Sequence, residues 1–136
     1  MIYPSGMWIG FWEQHAVGRH PMREFELHFR TDGTLHGSGT DLVGPFTITG
    51  TWQPTTGAIA MVKQYLRKHR VEYAGLPDGE GSILGTWRLS VGTYADSGPF
   101  GLSPHHTRPT GSEPIREIGS SQPEDSAEDD LNNSTP

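Results

Sequence analysis

Short runs of strictly alternating apolar and polar residues constrain the fold of this chain most. In residues 23–30, Phe25, Leu27 and Phe29 fall on one face, while Glu24 and Glu26 fall on the other. Such period-two alternation is typical of a half-buried antiparallel strand. Glycines and prolines interrupt the runs, and no run of helical length carries a 3.6-residue apolar stripe. The sequence therefore predicts an all-β fold.

The turns between these runs predict the pairing of neighbouring strands. Residues 31–33 suit a three-residue hairpin loop with Gly33 in the left-handed position. This register places His28 opposite His36, and it preserves the alternation across the turn. Applied to the whole chain, the same pattern predicts about eight strands, at residues 7–14, 23–30, 34–38, 46–52, 59–65, 70–76, 82–89 and 91–102.

An imperfect internal repeat indicates how the strands are arranged. Residues 9–12, 48–52 and 83–87 share the order Ile, Gly, Trp, and the second and third match as I-x-G-T-W. A strand glycine permits a sharp bend or the close approach of another backbone. Used repeatedly, it curls a meander until the sheet closes on itself. We therefore predict a small antiparallel up-and-down β-barrel, with a two-sheet sandwich as the alternative.

The charge of the chain divides unevenly between two regions. Residues 1–103 contain eight Lys/Arg and nine Asp/Glu, so this predicted barrel domain is nearly neutral. Residues 104–136 account for −5 of the net −6, contain no aromatic residue and are rich in Pro, Ser and acids. We interpret them as a disordered acidic tail. A near-neutral domain gives no reason to expect nucleic-acid binding.

The cysteine content and the apolar runs of the sequence indicate the cellular compartment of the protein. The chain has no cysteine, which excludes disulfides and Cys-ligated metal sites. It lacks both an apolar run of membrane-spanning length and a signal-peptide pattern at its start. We expect a cytoplasmic protein without a transmembrane segment. Its oligomeric state cannot be read from the sequence.

Three stretches, DGTLHGSGTDLVGPFTITG, VKQYLRKHRVEYAG and ILGTW, carry a family resemblance. Over residues 7–102 the chain resembles uncharacterised small β-barrel domains rich in Gly and Trp. In outline these are similar to calycins, the lipocalin, fatty-acid-binding and avidin group. The short repeated strands also resemble the shallow barrels likened to Tubby-type lipid-binding domains. The resemblance implies a barrel with a ligand site, but it carries over no individual binding residue.

A basic turn is the leading candidate for a binding site. Four fixed cations lie within residues 63–70, where they could meet a phosphate, a carboxylate or a lipid headgroup. Alternation places Lys63 on the inward face, with Met61 and Tyr65. The predicted ligand-binding residues are Lys63, Tyr65, Arg67 and Arg70 at the barrel mouth, with Trp12, Trp52 and Trp87 beneath. A solvated hairpin turn and a simple aromatic core remain the alternatives.

The facing histidines are the one candidate metal site. His28 and His36, with Glu26 on the same outer face, form a two-His-one-carboxylate set in principle. Nothing in the linear spacing requires a metal, and outward strand positions usually face solvent. We expect no cofactor.

Three functions are consistent with these residues. The first is a module that binds an apolar or anionic small molecule, which includes a lipid. The second is a non-catalytic protein-interaction or structural domain with a docking tail. An enzyme ranks third, because the chain lacks a nucleophile elbow, a P-loop, an HExxH motif and a dinucleotide fingerprint.

Overall fold

A computed structural model describes residues 3–105, and they form eight antiparallel strands closed into a barrel. The predicted tail lies outside the described residues, apart from Pro104 and His105. No helix able to span a membrane occurs in residues 3–105. The strands are β1 Gly6–Gln14, β2 Gly18–Phe29, β3 Thr34–Thr40, β4 Pro45–Trp52, β5 Ile59–Tyr65, β6 Arg70–Pro77, β7 Ile83–Val91 and β8 Tyr94–Pro104.

Each strand pairs with the next, and β1 closes the barrel by pairing with β8. The closing ladder runs from Trp8 opposite Pro104 to Trp12 opposite Phe100. The up-and-down barrel is therefore confirmed and the sandwich is excluded. The predicted first hairpin register is also confirmed, since His28 pairs with His36 in β2 and β3.

The meander gives the barrel two chemically distinct ends. The four-turn end carries the turns at residues 15–17, 41–44, 66–69 and 92–93. The terminal end carries the turns at residues 30–33, 53–58 and 78–82. Both ends of the described chain lie there too, because β1 begins and β8 finishes at that end.

The repeated glycines lie where neighbouring backbones come too close for a side chain. A Cβ on Gly10, Gly50 or Gly85 would overlap the carbonyl oxygen of the adjacent strand. Those oxygens belong to Gly101, Ala60 and Ala74 respectively. The strong curvature that closes a small barrel brings these backbones together, as the repeat predicts.

Large side chains fill much of the barrel interior. Trp8, Trp12 and Trp87 are almost completely buried, and Tyr65 and Phe100 join them in the core. Apolar burial on this scale is the main stabilising contribution to a domain of this size. The interior is therefore a packed core rather than a deep ligand cup.

The largest differences from the predicted strand boundaries are at the start of β2 and the start of β8. β2 begins at Gly18 rather than at residue 23, because its first half pairs with β1 despite Pro21. Val91 ends β7 and pairs with Tyr94, so a two-residue turn at Gly92 separates it from β8. Gly92 has a φ of 62°, a left-handed value that glycine adopts without steric cost.

Candidate functional site

A buried lysine is the most unusual feature of the barrel interior. Lys63 lies on β5 between Met61 and Tyr65, and the alternation of the strand turns all three inward. The Lys63 residue is only 6% exposed. The ammonium lies over the aromatic rings of Phe46 and Tyr65, 4.8 and 5.2 Å from their centroids. These rings attract a cation, but less strongly than water does.

Asp41 supplies the negative charge that faces this lysine. It begins the β3–β4 turn, where its Oδ1 accepts a hydrogen bond from the Val43 amide. Its Oδ2 accepts a 2.7 Å hydrogen bond from the Tyr65 hydroxyl and lies 3.7 Å from Lys63 Nζ. The Asp41 carboxylate thus stabilises the turn and also forms a buried cluster with Lys63 and Tyr65. Such buried pairs are seldom more stabilising than apolar packing, so a functional role is the hypothesis they suggest.

A small cavity lies beside Lys63, and Tyr73 forms part of its wall. The cavity has a volume of about 20 Å³, room for roughly one or two water molecules. Tyr73 is 3% exposed, and its hydroxyl has no hydrogen-bond partner among the described residues. Apolar and polar side chains complete the lining: Met22, Arg23, Phe25, Thr40, Asp41, Phe46, Ile48, Met61 and Leu102. A buried donor without an acceptor is uncommon and calls for an explanation.

The cavity lies behind a discontinuity in the barrel wall. Paired register between β2 and β3 extends from Phe29–Leu35 only to Glu26–Ser38, although both strands continue further. We call the stretch beyond it, residues 22–25 of β2 and residues 39–41 at the end of β3, the seam. Thr40 is exposed and Arg23 is partly exposed, and both belong to the lining of the cavity.

Burial shifts the proton equilibria of this cluster. Desolvation lowers the pKa of Lys63 to about 8, although the Asp41 carboxylate opposes that shift. Burial raises the pKa of Tyr73 far above its ordinary value, and the charge of Asp41 adds to the effect. Desolvation, together with the hydrogen bond to Asp41, likewise raises the pKa of Tyr65. At neutral pH Lys63 is therefore an ammonium, and Tyr65 and Tyr73 are neutral phenols.

Removing the Tyr65 hydroxyl tests whether this buried contact stabilises the fold. We expect Tyr65→Phe to lower the free energy of unfolding by about 2 kcal/mol, because Asp41 loses a buried donor. Tyr94→Phe is the matched control, since the Tyr94 hydroxyl donates to Asp96 in an exposed position. Tyr94→Phe should lower the free energy of unfolding by less than about 0.5 kcal/mol. Urea unfolding measures both, and equal losses would contradict a special role for the buried contact.

The basic turn lies at the four-turn end, and its cations point to solvent. Arg67, Lys68 and Arg70 are exposed, and Arg67 has a left-handed φ of 58°. Lys68 Nζ donates a 2.7 Å hydrogen bond to the Val43 carbonyl and so ties this turn to its neighbour. Lys63 and Tyr65 point inward instead. The structure thus divides the four predicted polar residues between a buried cluster and a surface.

The three predicted tryptophans do not line the cavity. Trp52 lies near the terminal end, where it packs against Tyr3 and Phe29 and donates to the Arg30 carbonyl. Trp12 and Trp87 pack edge to face with ring centroids 5.9 Å apart. All three are buried in the aromatic core.

The facing histidines form a stacked surface pair. The ring centroids of His28 and His36 are 5.1 Å apart. Glu26 lies 3.8 Å from His28, and an Arg30 nitrogen lies 3.2 Å from Nε2 of His36. Within residues 3–105, no three His, Cys, Asp or Glu side chains are grouped so that they could hold a metal ion.

Reading the sequence missed two important members of the buried cluster. The alternation pointed to Lys63 but gave no sign that Tyr73 would lack an acceptor. The contacts of Asp41 with Lys63 and Tyr65 were not predicted, because they join segments more than 20 residues apart in the chain. The inward position of Lys63 was the one signal available.

No protein-family model, curated protein or solved structure matches this chain. Of the calycin-like resemblance, the structure supports the barrel outline alone.

Proposed function

We propose that this protein is a small-molecule binding module whose interior site takes the carboxylate of a small organic acid. The observation that carries the proposal is the Tyr73 hydroxyl, a buried donor without an acceptor, in a cavity beside Lys63. Both oxygens of Asp41 already accept hydrogen bonds. The Tyr73 hydroxyl is therefore a donor in need of an acceptor. The lining carries two cations, Lys63 and Arg23, against the single carboxylate of Asp41, which favours a ligand that accepts hydrogen bonds and carries negative charge.

The size of the cavity limits the ligand. A volume of about 20 Å³ suits a carboxylate group but not a phosphate or a whole lipid. Met22 and Phe25 at the seam would contact the apolar part of the acid. Methionine side chains are flexible, so Met22 can adjust when the ligand enters.

Methionine methyl NMR of the full chain tests this proposal. Met22 and Met61 line the cavity, whereas Met7 lies elsewhere on β1. Titration with acetate or butyrate should shift the methyl signals of Met22 and Met61 and leave that of Met7 unchanged. Inorganic phosphate should have no such effect.

A single-atom variant provides the control. Tyr73→Phe removes the hydroxyl but retains the ring, so we expect unchanged stability and about tenfold weaker carboxylate binding. Tyr94→Phe should bind as the native protein does. If acetate and butyrate leave Met22 and Met61 unshifted, or if Tyr73→Phe binds them equally well, the proposal fails.

A further inference from the structure

The exposed apolar side chains are distributed unequally between the two ends of the barrel. Every turn of the four-turn end has a large exposed apolar residue within it or beside it: Val17, Leu42, Leu66, Val91 and Tyr94. The other large exposed apolar residues of the described chain, Ile9, Leu76 and Leu84, lie on the outer wall of the strands and not in the three turns of the terminal end. Clustered exposed apolar surface of this kind marks an interaction site.

The two ends also differ in charge: exposed cations lie at the four-turn end, and carboxylates lie at the terminal end. Arg67, Lys68 and Arg70 are exposed at the four-turn end. The turns of the terminal end contain Asp32, Asp78 and Glu80, and Arg30 is their only fixed cation.

Carboxylates at the four-turn end do not cancel its positive charge. Asp41 is buried against Lys63, and Glu13 is paired with Arg19 at 2.7 Å. Asp96 is partly buried and its hydrogen-bond donors, Gln14 and Tyr94, are neutral, so its charge offsets one of the three exposed cations and two remain. An apolar, basic end thus faces away from a polar, acidic end.

Hydrogen bonds hold two of the exposed leucines in a fixed arrangement. The Leu66 amide donates to the Pro45 carbonyl, and Lys68 Nζ donates to the Val43 carbonyl. These contacts join the turn of Leu66 to the turn of Leu42. A rigid pair of exposed leucines loses little conformational entropy when it becomes buried in a partner.

We infer that the four-turn end docks onto the surface of an anionic lipid bilayer. Val17, Leu42 and Leu66 enter the interface, while Arg67, Lys68 and Arg70 meet the anionic headgroups. Basic residues near an anionic membrane attract it, and apolar side chains gain from leaving water. This inference concerns a surface separate from the interior carboxylate site, so either can fail without the other.

Vesicle sedimentation with the full chain tests the inference. We expect binding to phosphatidylcholine vesicles that contain phosphatidylserine, and little binding to phosphatidylcholine alone. Added salt should weaken binding, because it screens the exposed cations. Arg67→Gln combined with Arg70→Gln should weaken it by more than tenfold, at about fivefold for each residue.

Two leucines with equal exposure provide the matched variants. Leu66 and Leu76 are both 61% exposed, but Leu76 lies on the outer wall near the terminal end. We expect Leu66→Ser to weaken vesicle binding about tenfold and Leu76→Ser to leave it unchanged. Thermal melting verifies that both variants are folded.

The inference fails if the native chain does not bind the phosphatidylserine vesicles, or if it binds both kinds of vesicle equally. It also fails if the two leucine variants have equal effects. A dimer that Leu66→Ser dissociates in sedimentation-velocity runs would also overturn it, since a second copy would then be what covers this end.

Discussion

Replacing Gly85 with alanine should destabilise the barrel by about 3 kcal/mol or more. The new Cβ would overlap the Ala74 carbonyl oxygen and lie 2.5 Å from the Gly75 Cα. These are backbone atoms of β6, so no side-chain rotation relieves the clash. The two strands would have to separate at this close approach. Urea unfolding of Gly85→Ala measures the loss directly.

Gly79→Ala is the control for the intrinsic effect of adding a methyl group to a glycine. Gly79 lies in the β6–β7 turn with a φ of 88°, and a Cβ there would meet no neighbouring atom. The left-handed conformation alone should cost about 1–2 kcal/mol. If Gly85→Ala costs no more than Gly79→Ala, the close approach of the strands is not what requires glycine at position 85.

The stability of the native protein should rise by about 2 kcal/mol between about pH 7 and pH 10 because of Lys63. Its pKa is about 8 when folded, against 10.5 as the ordinary lysine value. Between these values the unfolded chain binds a proton that the folded chain has released, so raising the pH favours the folded state. Above about pH 10 stability should fall, since Tyr65 and Tyr73 retain protons that the unfolded chain loses.

A double variant isolates the contribution of the lysine to this profile. Lys63→Met combined with Asp41→Asn removes both buried charges with little change in volume. We expect it to equal or exceed the native stability near pH 7, because buried ion pairs are costly to desolvate. The stability of the double variant should change little between about pH 8 and pH 10. The stability of the native protein rises over this range, so the two values should converge as the pH increases. Urea unfolding across this range measures both curves, and parallel curves would contradict the lowered pKa of Lys63.

Much of the fold could be predicted because the determining signals are local. Alternation gave the strands, and Gly33 with its flanking residues gave the first hairpin register. Gly50 and Gly85 recur two residues before a tryptophan, and this spacing indicated the bends that close the barrel. Each of these signals comes from the geometry of one or two neighbouring strands.

The binding site could not be predicted as well, because it depends on distant contacts. Lys63 was identified from the alternation of its own strand. The partnership of Asp41 with Tyr65, and the position of Tyr73 beside the cavity, depend on how turns and strands meet inside the barrel. Whether Trp12 and Trp52 line a pocket or fill a core depends on the packing of the whole interior.

Proton titration of Lys63 tests most directly whether the barrel interior holds a carboxylate-binding site at this lysine. NMR of the lysine Cε carbons can follow this side chain in the full protein, with and without acetate. We predict a pKa of about 8 for Lys63 without acetate, and a higher pKa with it, because a bound carboxylate favours the ammonium. A pKa near the ordinary 10.5 that acetate does not change would contradict a buried anion site at Lys63.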